Sequence, residues 1–199
     1  AIGKKSSDGE VYVGGMTMRI NPDGTGLTPT GENMRNPHDM FVTSHGDVLQ
    51  SDNDDPAHSR SSWIMEHANM GYADLTDGSR SWEEVAKTWE EPSGWNKSLR
   101  FSRSHWRENY PGAFPPGSIY GAGSPTGNLF IEDDTLGLAG TYLVSCMVRK
   151  EIMACSPQVV EAQIEMGTHR PFVRLKASEK AQRFLPTDVA LGPDGSLFF

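Results

Sequence analysis

Apolar residues in this chain come as short runs, each stopped within a few positions by glycine, proline or an acidic turn. Val11-Tyr12-Val13 and Met16-Thr17-Met18-Arg19-Ile20 run into Asn21-Pro22-Asp23-Gly24. In that tetrapeptide proline fixes φ at the second position and glycine accepts a positive φ later, as a tight turn requires. Met40-Phe41-Val42 and Asp47-Val48-Leu49-Gln50 flank Ser44-His45-Gly46 and predict a hairpin. Leu129-Phe130-Ile131, Thr141 to Val148 and Ile152-Met153-Ala154 predict further strands, and loosely alternating Val159 to Met166 predicts one more. One helix is expected. Ser81-Trp82-Glu83-Glu84 has the form of a capping box, Trp82, Val85, Ala86 and Trp89 share a face, and Pro92-Ser93-Gly94 ends it. The fold class expected is all-β.

A repeat refines that class. Pro37-His38-Asp39-Met40-Phe41-Val42 with Gly46-Asp47-Val48-Leu49 recurs at an offset of 149 as Pro186-Thr187-Asp188-Val189-Ala190-Leu191 with Gly195-Ser196-Leu197-Phe198. A weaker copy starts at Pro125-Thr126-Gly127. Periods of roughly 40 to 50 residues built from short strands point to propeller blades. The long first interval is carried by an insertion, about 67–120, that holds the helix and most of the tryptophans. The expected organisation is residues 1–199 as part of a single β-propeller domain, with about three to four blades present.

Composition agrees with this reading. Among 199 residues there are 21 Gly and 13 Pro, a turn-rich share, while five Trp and eight Phe argue against a disordered chain. The net charge is -8, and no basic cluster exceeds two residues, which excludes a non-specific nucleic-acid binder. No apolar run approaches the roughly 20 residues of a membrane helix. Ala1-Ile2-Gly3 has no signal-peptide pattern, and the chain stops inside an expected strand at Phe198-Phe199, which reads as a fragment.

Candidate chemistry concentrates in one stretch. Asp52, Asn53, Asp54 and Asp55 put four oxygen-bearing side chains at a strand end, the donor type that Ca²⁺ prefers. An EF-hand is excluded, since Ala57 and Trp63 stand where it needs Gly and Glu. A solvated acidic turn accounts for the same residues, and Glu66 is either a further ligand or a surface charge. Arg35 and Asn36 precede a blade's first strand. Arg grips carboxylates with paired hydrogen bonds and Asn both donates and accepts, yet a plain exposed turn has the same sequence. His38 beside this pair and His105 within the insertion are candidate general bases, against the commoner structural role of a single histidine. HExxH, CxxC, GxSxG, P-loop and GxGxxG patterns are absent. Cys146 and Cys155 would face each other if Lys150-Glu151 were a two-residue turn; two buried thiols are the alternative.

These residues carry a resemblance. Arg19 to Gly26, Arg35-Asn36-Pro37, Ser51 to Asp55, Met65-Glu66 with Asn69 to Tyr72, His105-Trp106, Tyr110-Pro111-Gly112, Gly121 to Gly127 and Pro186 to Leu197 occur in an order that resembles membrane-bound dehydrogenase propellers of planctomycete and verrucomicrobial type. Those are similar in turn to quinoprotein glucose and aldose sugar dehydrogenases. The resemblance implies a six-bladed propeller, periplasmic or secreted, that oxidises a carbohydrate hydroxyl and passes electrons to a c-type cytochrome. It implies that Arg35 and Asn36 contact pyrroloquinoline quinone, and that Asp52, Asn53 and Asp54 supply Ca²⁺ ligands. The base histidine of the quinoproteins has no match here. A calcium-dependent lactonase-type hydrolase and a non-catalytic carbohydrate- or protein-binding propeller are the alternative functions.

Overall fold

In the computed structural model the described residues are 8–53, 58–72, 112–134, 136–176 and 184–199, with Ser6 and Trp106. Among them the regular structure is all strand. The first strands are β1 (Gly15–Arg19) and β2 (Thr28–Met34), followed by β3 (Met40–Val42), β4 (Val48–Asp52) and β5 (Ser59–Ile64). Next come β6 (Ala68–Asn69), β7 (Ser118–Gly121) and β8 (Pro125–Ile131), then β9 (Thr141–Cys146) and β10 (Glu151–Cys155). The last are β11 (Gln158–Val160), β12 (Gln163–Glu165), β13 (Arg170–Arg174), β14 (Ala190–Leu191) and β15 (Leu197–Phe198). The expected helix at Ser81 lies outside the described residues.

The chain divides into two compact units, Ala1–Arg35 with Met65–Pro115, and Asn36–Ile64 with Pro116–Phe199. The first carries the sheet β1-β2-β6, in which β6 runs parallel to β2. The second carries two four-stranded sheets, β3-β4-β5-β7 and β8-β9-β10-β13, and the pairs β11-β12 and β14-β15. None of these sheets closes on itself.

Packing in the second unit explains its apolar runs. Every residue of β9 is buried, because its sheet is covered on both faces, and such strands read as continuous rather than alternating. On one face Tyr142, Val144 and Cys146 join Met153 and Leu49 of β4. On the other, Leu143, Ile152 and Ala154 join Val189, with Leu191 and Leu197 of the β14-β15 pair packed against them. Consecutive sheets are thus stacked face to face, the arrangement of propeller blades.

The repeat is reproduced at atomic detail. In the β3–β4 turn Thr43 N–H donates to Asp47 O at 2.8 Å and Gly46 N–H to Thr43 O at 2.9 Å. At the same offset of 149, Gly192 N–H donates to Ser196 O at 2.7 Å and Gly195 N–H to Gly192 O at 3.0 Å. Gly46 and Gly195 hold φ of 91° and 82°, a conformation glycine adopts without penalty. The expected Asn21–Gly24 turn has the same pair of bonds, with Asn21 N–H on Thr25 O at 2.9 Å and Gly24 N–H on Asn21 O at 2.9 Å. The Pro125 copy is weaker because its strands are joined by the longer segment 132–140.

Each strong copy also begins with a clasp on β8. Asp39 Oδ2 accepts the Asn128 backbone N–H at 2.8 Å, and Asn128 Nδ2 donates back to Asp39 O at 2.8 Å. From the other copy, Thr187 O accepts Gly127 N–H at 3.1 Å and Pro186 O accepts the Thr126 hydroxyl at 3.3 Å. A Cβ on Gly127 would lie 2.5 Å from Asp188 Cα, so only glycine fits.

The interior of the second unit is also polar. The strand β5, Ser59-Arg60-Ser61-Ser62-Trp63-Ile64, has four consecutive buried polar residues. They are buried because they are bonded. Ser61 Oγ lies 2.6 Å from Ser51 Oγ and 2.9 Å from His169 Nε2, while His169 Nδ1 meets Ser118 Oγ at 3.1 Å. The imidazole leans on Tyr120, ring centroids 4.7 Å apart. Burial pushes His169 down to about 4, with the Arg149 charge adding to the shift.

Several local expectations are corrected. Glu151 pairs with Cys146 and Cys155 with Tyr142, so the loop is 147–150 and not a two-residue turn. Cys146 and Cys155 do not face each other and are free, buried thiols. Val159 to Met166 is two strands, β11 and β12, since Glu161 takes φ of 54° and reverses the chain. Val11–Val13 is not strand; Val13 instead holds Glu32, its N–H on Glu32 Oε2 at 3.1 Å.

Two outcomes are expected. Gly127→Ala forces Asp188 away and should cost about 1–3 kcal/mol in chemical denaturation; an unchanged midpoint refutes the close approach. His169 is uncharged when folded but takes up a proton when unfolded below about 6.5. The folded state should therefore lose stability as pH falls from about 6.5 to about 4. His169→Gln should flatten that part of the urea-midpoint profile, and identical profiles refute it.

Candidate functional site

Asn36 starts the second unit, and Pro37 holds it in an extended conformation. From there its backbone N–H donates to Asp52 Oδ1 at 2.8 Å, and its Nδ2 donates to Asn53 Oδ1 at 3.0 Å. Asp52 closes β4 and is only 2% exposed. A buried carboxylate needs charge-assisted bonds of this kind. Across the β4–β5 ladder its partner is Arg60, itself 1% exposed, so a buried acid stands beside a buried base. Three of the residues expected to act together, Asn36, Asp52 and Asn53, are therefore bonded into one cluster. Asp54, expected as the third ligand, lies outside the described residues, as does His105.

The remaining candidates are placed differently. Arg35 belongs to the first unit, where its guanidinium carbon lies 5.9 Å from the centroid of the Tyr72 ring. His38 is exposed in the segment before β3, next to the clasp residue Asp39. Glu66 pairs with Arg19 at 3.1 Å, both more than half exposed, a surface ion pair of small energetic weight.

Tyr120 on β7 packs against the apolar cluster that includes Leu49 and Cys146. Its hydroxyl is buried and has no hydrogen-bond partner among the described residues. Burial drives its pKa well up, and Cys146, Tyr142 and the Asp52 carboxylate add to the shift. Tyr120 therefore stays protonated, a donor within the electrostatic reach of Asp52. Tyr72 and Trp106 entered the sequence reading only within motifs that carry the resemblance, with no role of their own, and Tyr120 and His169 did not enter it, since a serine-rich strand gives His169 no visible partner.

The described donors of the cluster are carboxylate and amide groups, with no sulfur. That set suits a hard cation such as Ca²⁺, through Asp52 and Asn53. Among the described residues no three His, Cys, Asp or Glu side chains converge as a metal site. Each taken by itself, the Arg35 guanidinium and the Asn36 amide are groups that bond carboxylates and carbonyls, the functional groups of pyrroloquinoline quinone.

No family model and no curated protein matches the sequence. Solved structures do match. The PQQ-bound form of aldose sugar dehydrogenase from Streptomyces coelicolor superposes with a TM-score of 0.56 at 14% identity, over 92% of this chain and 44% of that one. The apo-form of the soluble aldose sugar dehydrogenase from Escherichia coli gives 0.55 at 16% identity, over 88% of this chain and 45% of that one. This chain thus spans less than half the length of each. No helix among the described residues is long and apolar enough to cross a membrane. At such identities the likeness is one of fold: the chain is all-β, with unclosed sheets that form part of a β-propeller.

Proposed function

We propose that residues 1–199 are part of a single six-bladed propeller, with an insertion at about 67–120, that acts as a quinone- and Ca²⁺-dependent sugar or alcohol dehydrogenase. Arg35 and Asn36 hold and orient pyrroloquinoline quinone. Asp52, Asn53 and Asp54 hold the cation. His38 or His105 takes the proton from the substrate hydroxyl. When bound, the quinone supplies the two-electron acceptor and Ca²⁺ polarises it. The substrate class is carbohydrate, a c-type cytochrome is the electron acceptor, and the location is periplasmic or secreted, as in the planctomycete and verrucomicrobial dehydrogenase propellers that the sequence resembles.

The observation that supports this reading is the Asn36–Asp52–Asn53 cluster. A quinone-contact candidate and two cation-ligand candidates are hydrogen-bonded to one another on a fold shared with sugar dehydrogenases. The wide exposure of Asn36 leaves that cluster open to a ligand.

The intact propeller, given quinone and Ca²⁺, should reduce a dye in the presence of aldoses. Asp52→Asn should lower that activity at least about tenfold by removing a carboxylate from the cation, with partial recovery at high Ca²⁺. No turnover across a broad sugar and alcohol panel refutes the dehydrogenase. Chelator-sensitive lactone hydrolysis without quinone would establish the hydrolase instead, and glycan binding without turnover the non-catalytic propeller.

A further inference from the structure

One end of the second unit gathers basic residues. Residues 146–157 and 166–176 carry Arg149, Lys150, Arg170, Arg174 and Lys176 against a single acid, Glu151, in a chain of net charge -8. Glu151 opens β10 opposite Cys146 of β9 and opposite Arg174 of β13. The 147–150 turn and residues 174–176 therefore lie side by side at one end of their sheet. Glu151 is matched within the fold: its Oε1 accepts the Arg149 Nε–H at 2.8 Å, and the same guanidinium donates to Tyr120 O and Ala122 O at 3.4 Å. Lys150, Arg174 and Lys176 are exposed, and no carboxylate pairs with them among the described residues. Interleaved with them in sequence are exposed apolar side chains, Met147 at 37%, Val148 at 60% and Leu175 at 47%. Asp52 emerges at this same end. The clasp sets the starts of β3 and β8 together, β4 ends opposite the start of β3, and β9 ends opposite the start of β8. In the order β3-β4-β5-β7, the strand that Arg149 touches is two strand spacings from β4, about 10 Å. Burial is the main cause of the raised Tyr120 pKa; Asp52 adds to it and Arg149 opposes it, so one ring feels both charges.

We propose that Val148, Lys150, Arg174, Leu175 and Lys176 form the docking surface for an acidic electron-carrying protein. The electron-carrying part rests on the dehydrogenase reading above. Oxidation of one hydroxyl to a carbonyl releases two electrons and two protons, so two one-electron carriers dock per turnover and the protons pass to water. The surface has the make-up of a protein interface, apolar side chains with charged neighbours. A partner of opposite charge is attracted there and repelled by the acidic remainder of the chain, which orients it on approach. A small anion would use the cations and leave Val148 and Leu175 without purpose. An anionic bilayer is extended and flat, so it would also meet the acidic end of β4 at this end of the unit, against its own charge. A small acidic protein can seat on the basic surface alone.

The test uses the intact protein, an acidic c-type cytochrome as the probe, and the same cytochrome with its surface carboxylates amidated. The first readout is calorimetric titration, which needs neither quinone nor turnover. The acidic cytochrome should bind wild type, and at least about tenfold more weakly as salt rises from about 20 to about 300 mM. The amidated form should bind at least about tenfold more weakly at low salt. Lys150→Glu combined with Lys176→Glu should lose at least about tenfold in affinity and flatten the salt dependence. Should that variant not fold, Lys150→Gln with Lys176→Gln replaces it, with a loss of at least about threefold. Val148→Ser should lose about 2- to 10-fold and keep the salt dependence. Arg170→Glu makes the same charge change at the far end of β13, opposite Ala154, and should stay within about twofold. The second readout is turnover: the double variant should reduce the cytochrome more slowly and a small dye at the wild-type rate. No binding, salt-independent binding, or an equal loss in Arg170→Glu overturns the surface. Binding to phosphatidylcholine vesicles with about 30% phosphatidylglycerol, but not to the cytochrome, overturns the protein partner in favour of a membrane. Cytochrome binding as expected, with no sugar or alcohol oxidised, retires the dehydrogenase reading and leaves the docking surface standing.

Discussion

The second unit depends on how the start of β8 is gripped. Asp39 and Asn128 exchange two hydrogen bonds of 2.8 Å, each side chain reaching the other's backbone. Just beside them Pro186, Thr187 and Asp188 close on Thr126 and Gly127 from the other copy of the repeat. Two stacked sheets could slide past one another if only apolar side chains met, because the hydrophobic effect is non-directional. The carboxylate bond fixes the register, since a hydrogen bond to a charged group is both stronger and narrower in geometry. The clasped residue Asp39 stands just before β3, and β3 pairs with β4 in its own sheet; that hairpin register brings Asp52, at the end of β4, to Asn36.

Sequence pattern reached the apolar part of this architecture and little of the polar part. β9 and β10 are continuous apolar runs because both faces are covered, and their strand character was plain. Gly46 and Gly195 marked their turns because both need positive φ. β5 was opaque: three of its six residues are serine, and their burial depends on partners as distant in sequence as His169 and Gly123. No periodicity signals a hydroxyl that will meet an imidazole 108 residues away. β2 was hidden for a related reason. Its Thr-Pro-Thr-Gly-Glu-Asn-Met sequence has poor strand propensity, and it is held by bulged pairing to β1 and by Thr30–Thr17 and Glu32–Val13 bonds. The cysteine register failed on loop length alone, four residues where two were expected.

The candidate site was legible to the extent that its chemistry was local. Asn36, Asp52 and Asn53 stood out as an amide and an oxygen-rich strand end, and the fold joins them. Tyr72 and Trp106 were quoted only as parts of motifs, because a buried aromatic ring that packs on another ring looks in sequence like any core residue. Asp39 was read as part of a repeat and not as a carboxylate with a task. Its function is visible only once β8 lies beside it.

The direct test of this account is amide hydrogen exchange at Asn128 in wild type and in Asp39→Ala. Register set by the clasp predicts a protected amide in wild type that exchanges at least about tenfold faster in the variant, the loss of about 1.4 kcal/mol of local protection. Equal exchange at Asn128 in the two proteins would contradict it, and would leave the stacking of the sheets to their apolar faces alone.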